Sequence, residues 1–227
     1  ERRHQFALYR AMLLARRIDE AEQRLAREGA VFFHIPGAGH EGSCALAPHL
    51  NSDDWLHCHY RQKALLLARG VKAHDYLAAL FCNDDSPSRG RQMSEFMSDP
   101  ALHVLSMVVP TANHALQAVG VAAATHHLPT RPIVVCGIGD GATQQGEFLE
   151  AVAQAVRERL PVLFLVEDNR YAISTMTPGR TFFSLPGGPA SEYLGERIRR
   201  VDGRDVVAAH EQLGVIVAEM RNQRGPA

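Results

Sequence analysis

Cysteine is scarce in this sequence and never closely spaced. Cys44, Cys58, Cys82 and Cys136 are the four, and no two form a Cys-x-x-Cys pair. That argues against a zinc site or a disulfide framework and for a reducing compartment. No apolar run reaches the length of a membrane span. Charge of one sign is also missing: 24 Lys and Arg stand against 25 Asp and Glu, a net of −1. Neither a nucleic-acid groove nor an anionic membrane surface is expected as partner, although a balanced total leaves room for a local basic pocket. Twelve histidines, among them His57 and His59 and the pair His126 and His127, contain no His-Glu-x-x-His. The opening Glu1-Arg2-Arg3-His4 leads into an amphipathic stretch, not a secretory signal, so a cytoplasmic protein is expected, with a removed transit peptide left open.

What is present is ordinary globular composition, 46% hydrophobic and 22% charged over 227 residues, enough for one domain with a full core. Leu14, Ile18, Ala21 and Leu25 repeat at helical spacing, predicting a helix over 5–28 that Gly29 ends. A glycine-rich turn region follows through Gly42. Helices are expected at 41–50, 62–69 and 73–82, a loop rich in Asp, Ser, Pro and Gly over 83–100, and a short strand over 102–109. Residues 112–125 are dominated by alanine, suited to close, buried packing. Ile133-Val134-Val135-Cys136 and Val162-Leu163-Phe164-Leu165-Val166 read as buried parallel strands. A turn over Gly137–Gly146 and a helix over 147–159 join them into a βαβ unit. A Pro/Gly-rich loop over 176–190 and a last helix over 205–222 complete an α/β chain, a parallel sheet flanked by helices.

In such sheets ligands bind beyond the carboxyl ends of the strands. Two loops leave that edge, one carrying Gly139-Asp140-Gly141 and one carrying Glu167-Asp168-Asn169-Arg170-Tyr171. The glycines allow close backbone approach and the following helix favours an anion. Asp140 puts a carboxylate in the same place, which repels phosphate unless a cation lies between. Magnesium takes oxygen ligands and bridges carboxylates to phosphates. Asn169 offers a side-chain oxygen and Tyr171 a carbonyl. Two other readings stand beside this one. Gly137-Ile138-Gly139-Asp140-Gly141-Ala142 fits a loose dinucleotide pattern, with Glu167 on a ribose. A tight turn whose Asp caps the helix also accounts for an isolated Gly-Asp-Gly.

Asp140 and Asn169 stand 29 positions apart (169 − 140). With Glu147 and Tyr171-Ala172-Ile173-Ser174-Thr175, they resemble the thiamine-diphosphate motif of the alpha chains of 2-oxo-acid dehydrogenases, the pyruvate, branched-chain and acetoin types. The likeness runs along nearly the whole chain, through Phe33-His34, Gly37-x-Gly39-His40-Glu41, Asp53-Asp54-Trp55, Tyr60-Arg61, Gly90-Arg91-Gln92-Met93, Gln117-Ala118-Val119-Gly120 and Val201-Asp202-Gly203-Arg204-Asp205. Thr181–Gly188 is similar to members in which alpha and beta parts are fused.

The resemblance implies a thiamine-diphosphate-binding fold over 1–227 as a single domain, lacking the C-terminal part of the family's alpha chain. It implies Asp140, Asn169 and the Tyr171 carbonyl as Mg2+ ligands. Gly139, Gly141, Ala142 and Ile173 join them around the cofactor, Tyr60 and Arg61 reach the diphosphate, and Val109 and Thr111 lie near the aminopyrimidine. For Arg61 a surface salt bridge, and for Val109 and Thr111 core packing, are the competing explanations. The implied activity is decarboxylation of a small 2-oxo acid, as the alpha component beside a beta-type subunit that supplies the catalytic Glu, in an α2β2 assembly. A lipoyl-bearing acyltransferase is the implied acceptor. A carboligase, or a relative that keeps the cofactor clamp without turnover, is the alternative; an NAD-binding oxidoreductase domain is the alternative of another class. Three departures bear on this. Asp168 replaces the first Asn of the family's Asn-Asn, Phe96 stands where a His is expected, and the sequence ends at Arg224-Gly225-Pro226-Ala227 without the family's later catalytic His.

Overall fold

The computed structural model describes residues 2–227, with side chains from His4 onward; Glu1 and the side chains of Arg2 and Arg3, part of the stretch weighed as a signal, lie outside the described residues. Contacts divide the chain into two units. One comprises the chain up to Ser52, Tyr60–Met107 and Val201–Gly214; the other comprises Asp53–His59, Val108–Arg200 and Val215–Ala227. Each is assembled from three separated stretches, so neither is a contiguous piece of the single domain expected over 1–227. Among the described residues no helix is long and apolar enough to cross a membrane.

The first unit is helical. Helix α1 (Arg2–Arg27) buries Leu8, Ala11, Ala15 and Ile18, a stripe at spacings of three and four. Gly29 ends the region with φ +72°, and the amide of Ala30 returns to Leu25 O. The buried face differs from the expected one: Leu14 is exposed, whereas Asp19 and Glu22 are buried. A hydrophobic period cannot register a face continued by acids. The segment Glu41–His49 forms a 3-10 helix, not an α-helix, and α2 (Lys63–Arg69) and α3 (Ala73–Leu80) follow. Cys44 and Ala64 close on Leu8, Ala11 and Ala15 as one apolar cluster.

The polar loop over 83–100 is tied down by its own serines. Ser86 donates to Asn83 O and receives the Gly90 amide, and Ser94 donates to Leu80 O at 2.7 Å. The strand expected over 102–109 is not formed. Pro100–Leu102 makes a 3-10 turn capped by Asp99, His103 has φ +55°, and the chain doubles back in a lone bridge between Asp99 and Val104. An apolar run without a neighbouring strand has no ladder to join.

The second unit carries a three-stranded parallel sheet in the order β1 (Trp55–His57), β2 (Val134–Gly139), β3 (Val162–Glu167). Strand β1 went unrecognised in the sequence because three residues carry no period. β2 extends to Gly139, so Gly137 belongs to the strand and not to the expected turn. Helices α4 (Asn113–Thr125) and α5 (Gly146–Glu158) cover the sheet. Ala115, Ala118 and Ala122 of α4 meet Phe148, Ala151 and Ala155 of α5 around Val134, Cys136 and Ile138. Small side chains let the helices approach, and burying Phe148 contributes on the order of 2 kcal/mol.

Beyond β3 come three two-residue hairpins: β4 (Tyr171–Ala172) with β5 (Thr175–Met176), β6 (Ser184–Leu185) with β7 (Gly188–Pro189), and β8 (Glu192–Tyr193) with β9 (Glu196–Arg197). Phe182 anchors them, stacking on Phe148 and packing on Tyr193, while Arg200 donates to Phe183 O and Ala190 O. Helix α6 (Val206–Gln223) starts at Asp205, whose carboxylate accepts the amides of Val207 and Ala208.

Within the second unit Asp54 is fully buried. It accepts the Ile133 amide at 2.9 Å and both terminal nitrogens of Arg221, at 3.1 and 2.5 Å. Asp54→Ala leaves the Ile133 amide without its acceptor and the Arg221 guanidinium without its carboxylate. A loss of about 3 kcal/mol is expected, measurable by denaturant unfolding; a loss within error would show that the pair is dispensable.

Candidate functional site

Strands β2 and β3 run in register to their last residues, Gly139 opposite Glu167. The loops carrying Asp140 and Asp168-Asn169 therefore leave adjacent strands at one carboxyl edge, as open parallel sheets require of a ligand site.

Asp140 begins a five-residue 3-10 turn, Asp140–Gln144, and is 1% exposed. Its Oδ2 accepts from the Thr177 hydroxyl at 2.5 Å, and its carbonyl accepts from the Thr143 hydroxyl at 2.6 Å. Burial pushes its carboxyl above the ordinary Asp value; the Thr177 hydroxyl pulls it back, and the Asp168 carboxylate pushes it up again. Among the described residues its side-chain partners are Thr177 and Asp168, neither of which is cationic. Asp140 does not cap a helix: α5 begins at Gly146 with no side-chain cap. Nor is the dinucleotide geometry formed. Gly137 and Gly139 lie in β2, and a 3-10 turn separates them from α5, where that pattern needs a glycine turn opening directly into the helix.

Two successive Asx turns follow β3. Asp168 Oδ1 accepts the Arg170 amide at 3.0 Å, and Asn169 Oδ1 accepts the Tyr171 amide at 2.9 Å. They swing the chain into the β4–β5 hairpin, with Arg170 and Ile173 at positive φ. The hairpin folds back on the Asp140 turn: a Cβ on Gly141 would stand 2.4 Å from Ala172 Cβ. Glycine at 141 is thus required by close approach. Asn169 and Tyr171 are exposed, and Ile173 is wholly exposed at the hairpin tip. An amide oxygen has two lone pairs, so Asn169 Oδ1 keeps one for a ligand.

Asp140, Gly141, Ala142, Asn169, Tyr171 and Ile173 are therefore grouped around interlocked loops at one edge, with Gly139 just before them. Val109 and Thr111, just before α4 in the same unit, are exposed, Val109 at 63%; core packing does not account for them. Tyr60 and Arg61 belong to the first unit. There the Arg61 guanidinium lies 5.1 Å over the Tyr60 ring and donates to Pro36 O at 2.6 Å, and Tyr60 stacks on Phe96.

Sequence reasoning missed Thr177, which no spacing marks, and the support beneath the strand ends. His59 lies against Gly139, its Nε2 3.6 Å from the place of an added Cβ. His114 Nε2 donates to Gly137 O at 2.8 Å. Gln117, oriented by its own bond to Asn113, presents Oε1 to His57 Nε2 at 2.9 Å. Burial pushes both imidazoles down, His57 to about 4, so they are neutral donors near neutral pH. The sequence signal was the close pair His57 and His59.

The chain thus has a three-stranded parallel sheet with acids at its carboxyl edge. Residues 9–227 match the family described as the dehydrogenase E1 component, and the chain belongs to that family. The mitochondrial 2-oxoisovalerate dehydrogenase subunit alpha of Mus musculus is 30% identical over 205 residues, 89% of this chain and 46% of that one. The 2-oxoisovalerate dehydrogenase subunit alpha of Bacillus subtilis is 34% identical over 170 residues, 74% of this chain and 52% of that one. The chain spans about half the length of these curated relatives. Benzoylformate decarboxylase of Polynucleobacter necessarius aligns in structure over 83% of this chain and 31% of its own, with a TM-score of 0.45 and 15% identity.

Gly141→Ala should force the hairpin off the Asp140 turn and destabilise the protein by about 1–3 kcal/mol, seen as a lower denaturation midpoint. Ala172→Gly in the same chain should restore most of it. Additive losses would mean the two backbones are not in contact.

Proposed function

We propose that the chain is the alpha component of a thiamine-diphosphate- and magnesium-dependent 2-oxo-acid dehydrogenase, acting with a beta component to decarboxylate a small 2-oxo acid. One observation supports this above others: the buried carboxylate of Asp140 faces a second carboxylate, Asp168, and its donors among the described residues are the Thr177 hydroxyl and the Gly141 amide, neither of them cationic. Two acids and an amide oxygen at one edge are a donor set for a hard divalent cation. Asp140 and Asn169 would hold Mg2+ by side-chain oxygens and Tyr171 by its carbonyl, while Gly141 and Ala142 would offer amides to the diphosphate. Tyr60 and Arg61 are assigned to the diphosphate by the family motif, and Arg supplies a planar donor fork. Thiamine diphosphate, when bound, supplies the electron sink for the charge left by departing carbon dioxide. The chain's own part is to bind and orient the cofactor, since the acid that starts the chemistry is assigned to the beta component. A lipoyl-bearing acceptor, an α2β2 assembly and a cytoplasmic location belong to the same proposal.

A second reading, a relative that keeps the clamp without turnover, is favoured by Phe96. It is buried and stacked on Tyr60, so the position that carries a His in the family presents no titratable group.

Isothermal titration with thiamine diphosphate should show binding with Mg2+ and none in chelator. Asp140→Ala removes a direct ligand and should weaken it by more than the about 10–100-fold that losing a group behind a metal ligand costs. Equal affinity with and without metal, or in the variant, would contradict the assignment. Turnover of a 2-oxo acid with a beta component separates the two readings.

A further inference from the structure

Five ionisable side chains are buried together in the first unit. Asp19 and Glu22 come from α1, Lys63 from α2, and His34 and Glu95 from loops; each side chain is at most 9% exposed. His34 is the hub. Its Nδ1 lies 2.8 Å from Glu95 Oε1 and 3.6 Å from Glu22 Oε2, and its Nε2 lies 3.4 Å from Asp19 Oδ1. Lys63 pairs with Glu22 and stands 3.7 Å from Asp19, over the Tyr76 ring. Arg61 acts on Glu95 from nearby, and the Arg16–Glu41 pair flanks Asp19. Three acids thus face one ammonium within the buried set. His34 Nε2 and Glu22 Oε1 are buried without a hydrogen-bond partner.

The same acids hold a piece of backbone. Glu95 accepts the Ile35 amide at 3.1 Å, and Asp19 accepts the Gly37 amide at 2.7 Å. The turn from His34 to Gly37 is pinned by the cluster, and its Pro36 carbonyl receives Arg61.

We propose that this cluster is a proton-gated latch: it retains protons that offset its surplus of carboxylates, and their loss as pH rises releases the 34–37 turn. A buried acid with too few cationic partners keeps its proton more readily than repulsion would allow it to ionise. Glu22 and Glu95 are both pushed up to about 7, burial being the largest cause and Lys63 the main opposing influence. Opening the turn hydrates these acids and returns them toward their ordinary 4.5. The open form then sheds its protons first, so opening becomes easier as pH rises through about 7. His34, pushed down chiefly by burial, acts in the opposite sense, but only below its ordinary 6.5. Release of Arg61 affects ligand binding only if the functional reading above holds; the latch itself does not depend on it.

Amide exchange on the full chain, corrected for intrinsic rates, reads the latch at Ile35 and Gly37. Protection should fall by about tenfold between pH 6 and 8 for each of the two acids that loses its proton, up to about 100-fold for both. Glu95→Gln, which keeps an acceptor for Ile35 without the titrating proton, should flatten that dependence, and Glu22→Gln should reduce it. Wild-type protection that does not change with pH would overturn the proposal, as would an unchanged slope in both variants. A zinc-induced rise in protection that chelator reverses would make the cluster a metal site and overturn it too.

Discussion

The carboxylate of Asp140, buried beside a second carboxylate, is the constraint on which the functional edge depends. Its position follows from the sheet. Because β2 and β3 pair in register to their ends, the residue after Gly139 and the residues after Glu167 must emerge together. The buried alanines of α4 and α5 keep the layers close, and neutral His114 donates to the Gly137 carbonyl of β2 from below. An acid placed there without a basic partner is costly, and the proposed divalent cation would both relieve it and attract a diphosphate.

The loops around that acid are interlocked. Asx turns at Asp168 and Asn169 set the hairpin, Thr177 at its far end returns to Asp140, and Ala172 rests on Gly141. Turn chemistry, the proposed ligand set and close packing therefore fall on the same few residues. Asp168, the departure from the family's Asn-Asn, sits inside this arrangement: it caps Arg170 and adds negative charge beside Asp140, which strengthens the demand for a cation.

Long periodic segments were legible in the sequence: α1, α5, α6 and the two longer strands form close to their expected bounds, whereas α4 is marked only by its small residues. So was the site edge, because Gly139-Asp140-Gly141 and Asn169 follow strands whose apolar runs are unmistakable. What was hidden had physical reasons. β1 is three residues long. The run 102–109 has no partner strand and doubles back at His103. The inner face of α1 is partly acidic, so its period misled by one position. Polar residues that work by burial, such as Glu22, Glu95 and Thr177, carry no local pattern, since their partners are far away in the chain.

The central claim is a single cation at that edge. Crystals grown with thiamine diphosphate and manganese, an oxygen-loving substitute for magnesium, would locate it by anomalous scattering. The account predicts one strong peak bonded to Asp140, Asn169 and the Tyr171 carbonyl, with diphosphate oxygens completing its shell. Bound cofactor with no peak there, or a peak held by other residues, would contradict it.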